Sequence, residues 1–185
     1  GGYFLSRMGV IGLYLALTGK VMNGIDSMQV GIGTHYIKNN NLDNTLKELI
    51  DLNKYSKSFV DNLFSMRCDK VFEKESVLKK ELGYIKKHFD YSNLVDIFNS
   101  LKSEGDEWAL STLEVLSKKS PTSMCVTTRQ LANAKILNLK DCLNMEFRIC
   151  QTMMEKNDFY EGVRANLVEK DRKPIWKPNN ILDVD

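Results

Sequence analysis

The 185-residue sequence has no long apolar run, no block of like charge and only two histidines. Its most apolar stretch, residues 10–17, is far shorter than the ~20 apolar residues of a membrane-spanning helix, so we expect no membrane partner. The 26 basic and 24 acidic residues are spread along the chain, which argues against nucleic acid as a partner. With 43% hydrophobic residues, the chain can still form a buried core.

The four cysteines include no Cys-x-x-Cys pair, and no histidine lies at the spacing of a zinc finger. Each of them falls among the apolar positions of a helical pattern: Cys68, Cys125, Cys142 and Cys150. We therefore expect buried, reduced thiols, and neither a disulfide nor a metal site. This favours a reducing compartment.

Apolar residues recur at intervals of three and four along most of the chain, as is typical of amphipathic helices. The pattern predicts one nearly wholly buried helix over residues 4–17, ended by Gly19. Another predicted helix has an apolar face over about four turns: Leu139, Leu143, Phe147, Cys150 and Met154. Only residues 31–37, with several β-branched side chains, are strand-like.

Several polar residues stand where helices are expected to begin. Asn23, Asp106 and Ser120 each precede a helical pattern, and their side chains can accept hydrogen bonds from first-turn amides. Asp158 and Glu161 have the spacing of a capping box for a last short helix.

Two blocks of the sequence resemble a known family. Residues 1–37, GGYFLSRMGVIGLYLALTGKVMNGIDSMQVGIGTHYI, resemble the middle of crotonase-superfamily acyl-CoA enzymes. The strings SPTS, EGVRA and KDRKPIWKP, which begin at Ser120, Glu161 and Lys170, look like the end of 3-hydroxyisobutyryl-CoA hydrolases. The resemblance implies a mainly α protein, the C-terminal helical part of a crotonase-like fold. Residues 1–40 would end the crotonase core, and residues 41–185 would form a helical region with an extended basic tail.

The same resemblance implies a function. Members of the 3-hydroxyisobutyryl-CoA hydrolase family hydrolyse this acyl-CoA substrate in mitochondria, as a step of valine catabolism. They use no metal or redox cofactor, and coenzyme A is part of the substrate. In that family the catalytic glutamate and a second carboxylate, an aspartate, precede the position that matches Gly1. Thioester hydrolysis needs such a carboxylate and preorganised donors for the developing oxyanion. We therefore expect no catalytic residue within this chain and no activity of the chain alone.

Gly1 and Gly2 are candidates to line the active site of such an enzyme. They open a helix whose first amides carry a partial positive charge that can stabilise an oxyanion. The alternative is that these glycines only permit close helix packing.

The extended tail offers a second candidate site, for coenzyme A. Its cations suit phosphate groups and its indole suits the adenine ring: Arg172, Lys173, Trp176 and Lys177. The alternative is a solvated tail that Trp176 anchors in a groove.

The remaining polar residues are interpreted as structural. His35 lies in the strand-like segment, and His88 lies on a lysine-rich helical face. Four further charged residues are expected to form ion pairs that serve packing: Arg129, Glu146, Arg148 and Arg164.

Two other functions stay open at this point. The chain could belong to an enoyl-CoA hydratase or isomerase, which shares the scaffold, or it could be a non-catalytic helical interaction module. In either case the apolar face of the helix over residues 4–17 leads us to expect self-association.

Overall fold

A computed structural model describes residues 1–51, 56–69 and 76–184. In these ranges eleven α-helices, numbered α1 to α11 in chain order, span Gly2–Arg7, Val10–Thr18, Gly24–Gln29, Asn39–Ile50, Lys57–Arg67, Val77–Phe89, Leu94–Glu104, Glu107–Ser117, Pro121–Ala134, Leu139–Met154 and Asn157–Val163. A π-helical turn over Arg164–Val168 and a 3-10 turn over Ile181–Asp183 follow. The mainly α fold is confirmed. Among the described helices, none combines the length and apolarity needed to cross a bilayer.

The chain divides into two compact units, one formed by Gly1–Lys20 with Gly83–Asp185 and the other by Val21–Leu82. This division follows the packing, whereas the predicted boundary after residue 40 followed the resemblance. In the first unit α9 contacts α1, α2 and α7. The largest apolar side chains that are fully buried are Phe89, Ile85, Ile97, Leu101 and Leu116.

The strand-like segment over residues 31–37 forms turns and irregular structure, and no strand is present in the described ranges. The amide of Gly31 donates to the carbonyl of Met28, and the amides of Ile32 and Gly33 both donate to the carbonyl of Ser27. These bonds fold the segment back onto the end of α3. Its β-branched composition is therefore a poor guide to its structure.

The predicted helix over residues 4–17 is broken into α1 and α2. Gly9 lies between them at φ +57° and ψ −134°, a conformation that residues with a Cβ atom rarely adopt. At Gly12 a Cβ would lie 1.8 Å from the carbonyl oxygen of Leu5, so the two helices approach too closely for a side chain there. The apolar periodicity does not reveal this break because it continues across it.

The predicted helix starts at Asn23, Asp106 and Ser120 are confirmed. Each side chain accepts the backbone amide three residues further on, at 2.7 to 3.0 Å. Gly19 ends α2 in the left-handed conformation, at φ +71°. Local capping signals in this sequence thus specify most of the helix boundaries they were used for.

The four cysteines are free thiols, but the expectation that all are buried is wrong. Cys142 is buried and Cys125 is half-buried, whereas Cys68 and Cys150 are exposed. Cys68 directly follows the end of α5, and Cys150 lies on the outer side of α10.

The apolar face predicted for α10 does not belong to the core. Leu139, Leu143, Phe147 and Met154 are between 46% and 65% exposed, and Cys150 is exposed as well. The helix packs instead through the adjacent side, where Cys142 is 1% exposed. The predicted apolar face is therefore present, and it is exposed.

The close approach at Gly12 predicts that Gly12→Ala lowers the free energy of unfolding by about 1–3 kcal/mol, because backbone atoms must move apart. Gly83→Ala is the matched control, since a Cβ at Gly83 in α6 meets no atom within 4 Å. The control should gain about 0.5–1 kcal/mol from the higher helix propensity of alanine. Urea titrations of the three proteins measure both effects. Equal stability of the two variants would contradict the packing described here.

Candidate functional site

The C-terminal tail runs extended after Arg172, and its side chains alternate between two environments. Pro174 and Trp176 are half-buried, whereas Lys173, Ile175 and Lys177 are exposed. Such alternation is expected for extended backbone, in which successive side chains point to opposite sides. The tail therefore has an inner face that packs on the helices and an outer face that meets solvent.

Arg164 connects the end of α11 to the start of the tail. Its guanidinium donates to both carboxylate oxygens of Glu161, at 2.8 and 2.9 Å, and to Asp171 at 2.8 Å. It also donates to the carbonyl of Lys173 at 3.2 Å and contacts Glu169. The guanidinium lowers the pKa of Glu161 to about 2 and also lowers the pKa of Asp171. The expected half-buried ion pairing of Arg164 is confirmed, and it serves to hold the tail.

Asp158 is the second anchor of the tail, and its predicted capping role is wrong. Helix α11 begins one residue earlier, at Asn157, and the Asp158 carboxylate is buried. It accepts from the Ser120 hydroxyl at 2.6 Å and from the Lys177 amide at 2.8 Å. Glu161, the supposed capping-box partner, accepts instead from the amide of Ile175 at 2.6 Å.

The inner face of the tail borders a cavity of about 440 Å³, in the size range typical of ligand pockets. The end of α2, the turn between α8 and α9, α9 itself and the tail contribute to its lining. Its polar and cationic lining consists of Lys118, Lys119, Ser120, Ser123, Thr127, Asn166 and Arg172, beside the indole of Trp176. Three cations with several hydroxyl and amide groups provide suitable partners for a phosphorylated ligand.

The cavity separates the four tail residues predicted to bind coenzyme A. Arg172 and Trp176 line it, whereas Lys173 and Lys177 lie on the outer face of the tail. Arg172 adopts φ +56°, and its amide donates to the carbonyl of Ala165 at 3.0 Å, so the chain turns here into the cavity wall. The four residues therefore do not form one cluster: Arg172 and Trp176 share the cavity, and Lys173 and Lys177 share the outer face.

Trp176 also anchors the tail. Its indole N–H donates to the carbonyl of Lys118 at 3.1 Å, and its ring lies about 3.5 Å from where a Cβ on Gly162 would be. A Cβ at position 162 would therefore make an ordinary van der Waals contact with the indole. Trp176 therefore anchors the tail through its indole N–H, while another part of the half-buried ring lines the cavity in which a ligand is predicted.

Lys118 and Lys119 line the cavity, although neither was predicted from the sequence as a site residue. The Lys118 ammonium is 2.7 Å from a carboxylate oxygen of Glu114. The Lys119 ammonium lies 3.5 Å from where a Cβ on Gly19 would be, at the C-terminal end of α2, where a cation is favourable. The one available signal was a pair of lysines directly before the helix start at Ser120.

The two N-terminal glycines lie in the first unit beside α10. The amide of Gly2 donates to Oε1 of Glu146 at 2.6 Å. A Cβ on Gly2 would lie 2.9 Å from both that oxygen and Nε2 of Gln130, so the ends of these two flexible side chains would have to shift to admit it. The predicted role of Gly1 and Gly2 in lining an active site stays a prediction, with the Gly2 amide already paired to a carboxylate.

His88 lies in the core of the first unit, and His35 is half-buried in the other unit. Nδ1 of His88 shares a hydrogen bond with the Ser100 hydroxyl at 2.8 Å, and its ring stacks on Trp108. Nε2 has no hydrogen-bond partner within the described ranges, and the nearest carboxylate oxygen, on Glu104, is 3.8 Å away. Burial lowers the pKa of His88 because it disfavours the imidazolium; Glu104 opposes this shift and Lys87 adds to it.

The whole chain, residues 1–185, matches the sequence model of the enoyl-CoA hydratase/isomerase family. The chain belongs to this family. The crotonase resemblance drawn from residues 1–37 and from the C-terminal strings is therefore confirmed.

Relatives of this family member carry a more specific name. Proteins called mitochondrial 3-hydroxyisobutyryl-CoA hydrolase are 40% identical in Gallus gallus and 38% in Danio rerio over 188 residues, and 36% in Homo sapiens over 190 residues. Each match covers 100% of this chain and 49% of the relative, so the chain spans about half the length of these proteins. The predicted resemblance to these hydrolases is confirmed, and their names support the mitochondrial prediction.

Solved structures of similar fold are also about twice as long. A carnitinyl-CoA dehydratase from Mycobacterium thermoresistibile has a TM-score of 0.86 at 26% identity, and this chain covers 51% of it. An enoyl-CoA hydratase from Rhodobacter sphaeroides 2.4.1 has a TM-score of 0.80 at 23% identity, which supports the fold alone. Both matches extend over the whole of this chain.

The bonds of Arg164 predict that Arg164→Lys releases the tail. Lysine keeps the charge but lacks the fork that donates to Glu161 and Asp171 together. Amide hydrogen exchange at Ile175 and Lys177 should become about tenfold faster or more, which corresponds to about 1.4 kcal/mol of lost local stability. Arg129→Lys, a change at an exposed position on α9, is the control and should leave both amides protected. Unchanged exchange in Arg164→Lys would contradict this role.

The buried imidazole predicts acid sensitivity. The unfolded chain takes up a proton on His88 near pH ~6.5, whereas the folded chain does so only at lower pH. Stability is therefore lost as pH falls below about 6.5, by at most about 1.4 kcal/mol per pH unit from this group. His88→Gln should show a smaller loss of unfolding free energy between pH 7.5 and 5.5, measured by urea titration. An identical loss in both proteins would exclude this contribution.

Proposed function

We propose that this chain is the C-terminal half of a coenzyme A thioester hydrolase that acts on 3-hydroxyisobutyryl-CoA. The observation that carries the proposal is the match of the entire chain, at 36–40% identity, to relatives with that name. The whole protein would release 3-hydroxyisobutyrate and free coenzyme A, a step in valine breakdown in mitochondria.

In this proposal the catalytic carboxylates belong to the other half of the protein. Hydrolysis adds water to the thioester carbonyl, and the carbon–sulfur bond breaks as the thiolate leaves and takes up a proton. A positioned carboxylate and oxyanion donors accelerate these steps, and no metal or redox cofactor is needed for them. The turn at Gly1 and Gly2 would lie against that centre, held by the bond from Gly2 to Glu146.

This chain would contribute binding of the nucleotide end of coenzyme A. The cavity beside the tail supports this, because it places Lys119 and Arg172 near Trp176 in a space of about 440 Å³. The cations would bind phosphate oxygens, and the accessible part of the indole would contact the adenine. Lys173 and Lys177, on the outer face, would then contribute little.

Coenzyme A binding tests this arrangement with two double variants of equal charge. Combining Lys119→Ala with Arg172→Ala removes two cavity cations and should raise the dissociation constant about tenfold or more, since a hydrogen bond to a charged group contributes about 1.5–3 kcal/mol. Combining Lys173→Ala with Lys177→Ala removes two outer cations and should change it less than about threefold. Isothermal titration calorimetry of coenzyme A measures both constants. A larger effect of the outer pair would place the ligand on the other face of the tail.

The chain alone should not release thiol from 3-hydroxyisobutyryl-CoA, because the proposed carboxylates lie outside it. A thiol-reactive dye followed over time measures this, with a full-length hydrolase as the positive control. Turnover by the 185 residues at the rate of the full-length enzyme would refute the proposed placement of the catalytic groups.

A hydratase is the second candidate function, favoured by the description of the matching family model, enoyl-CoA hydratase/isomerase, and by the carnitinyl-CoA dehydratase structure. The 26% identity to that structure is lower than the identities to the hydrolases. In the whole protein, loss of crotonyl-CoA absorbance without thiol release would favour the hydratase, and thiol release would favour the hydrolase.

A further inference from the structure

The imidazole of His88 is a buried titratable group in the core of the first unit, and the proposed function makes no use of it. The side chain is fully buried in α6, and its Nε2 atom finds no hydrogen-bond partner among the described residues. Buried polar atoms without a partner are rare in folded proteins because they lose their hydrogen bonds to water. The charged groups around Nε2 therefore bear on what this ring does.

Groups from several elements surround the ring. The indole of Trp108 in α8 stacks on it, with 6.0 Å between the ring centroids. The titratable and charged groups that contact the ring, act on its charge or reach it through Ser100 or Trp108 are Tyr84 and Lys87 of α6, Tyr91 of the turn after α6, Glu104 of α7, Asp106 at the N-cap of α8, and Tyr14 of α2. Among them, Glu104 supplies the carboxylate nearest to Nε2.

The distances from the two ring nitrogens fit one tautomer of the neutral ring. Nδ1 lies 2.8 Å from Oγ of Ser100, which can accept a hydrogen bond from it. Nε2 lies 3.8 Å from Oε2 of Glu104, which is too far for a hydrogen bond. A proton on Nε2 would attract this carboxylate, whereas a lone pair on Nε2 repels it. The spacing therefore fits a ring that carries its proton on Nδ1 and directs the Nε2 lone pair at Glu104.

Glu104 is placed to respond to a second proton on this ring. Its Oε2 atom, the oxygen nearest to Nε2, also pairs with the ammonium of Lys87. The Glu104 side chain is 26% exposed and that of Lys87 is 59% exposed, so both have room to move. A shift of about 1 Å, or a rotation of the carboxylate, would bring one of its oxygens within hydrogen-bond distance of Nε2.

We propose that His88 and Glu104 form a proton-operated switch between α6 and α7. When the ring takes up a proton from solvent on Nε2, the Glu104 carboxylate moves in and accepts a hydrogen bond from the new N–H. Lys87 then pairs with the other carboxylate oxygen. The folded chain thus accepts a proton in its core by closing a bond between two helices. The switch is independent of the proposed function, because it involves no ligand.

The switch sets how far acid destabilises the chain. Burial lowers the pKa of His88, whereas Glu104 raises it. Because the folded-state pKa lies below the unfolded value of about 6.5, this group costs stability as pH falls from about 6.5 to the folded-state pKa. Below that pKa both states carry the proton, and the loss from this group stops. Removal of Glu104 should therefore extend the loss to lower pH.

Nitrogen NMR of the imidazoles tests the position of the proton. At pH 7.5 His88 should carry its proton on Nδ1, and Nε2 should gain the second proton as pH falls. The chain has two histidines, so His35→Gln leaves a single imidazole and identifies the signals. A proton already on Nε2 at pH 7.5 would overturn the proposal.

Two variants should move the midpoint of the His88 titration in opposite directions. Glu104→Gln removes the opposite charge and should lower the midpoint by about 1 pH unit or more. Lys87→Gln removes the competing ammonium, which lowers the pKa of His88, and should raise the midpoint. Glu114→Gln is the matched control, because Glu114 also pairs with a lysine but does not act on the pKa of His88.

The direction of these shifts decides the matter. A lower midpoint in Glu104→Gln and a higher one in Lys87→Gln, with the control unchanged, support the switch. An unchanged or higher midpoint in folded Glu104→Gln overturns it. If Glu104→Gln does not fold, Lys87→Gln still decides, because an unchanged or lower midpoint there also overturns the proposal.

Discussion

The buried carboxylate of Asp158 is the interaction on which the arrangement of the C-terminal region depends. It accepts the hydroxyl of Ser120, which also caps α9, and the amide of Lys177 in the tail. A buried carboxylate without such donors would carry a desolvation cost of several kcal/mol, so these partners are fixed together. The start of one helix, the first turn of another and the end of the tail therefore share one polar centre.

The geometry of the cavity follows from this attachment. The tail is bound at alternate positions: the amide of Ile175 to Glu161 and the amide of Lys177 to Asp158. With these backbone groups directed inward, Trp176 enters the cavity wall and donates to the carbonyl of Lys118. From the sequence alone, the three cations of the tail cannot be told apart. The hydrogen bonds of the tail backbone decide that Arg172 faces the cavity, whereas Lys173 and Lys177 face outward.

Local signals predicted the features of the fold that depend on a few neighbouring residues. Asn23 and Ser120 cap helices because the acceptor and the amide are three residues apart. Asp158 has the same local pattern but takes partners 38 and 19 residues away. The break at Gly9 likewise depends on the packing of Gly12 against Leu5, which periodicity does not encode. Sequence therefore predicted the capped helix starts and the overall fold class, but neither the break at Gly9 nor the long-range partners of Asp158.

Helix α10 shows that an apolar sequence pattern, like a capping pattern, does not identify the partner that a residue contacts. Periodicity records that one side of a helix is apolar, but the energy gained depends only on that side leaving water, whichever polypeptide covers it. In α10 the contacts with α1 and α9 use the side that carries Cys142 and Glu146, where small and hydrogen-bonded groups allow close approach. The larger side chains, such as Phe147, are left on the outer side. The apolar side of α10 is thus one that the described part of the fold leaves outside its own core.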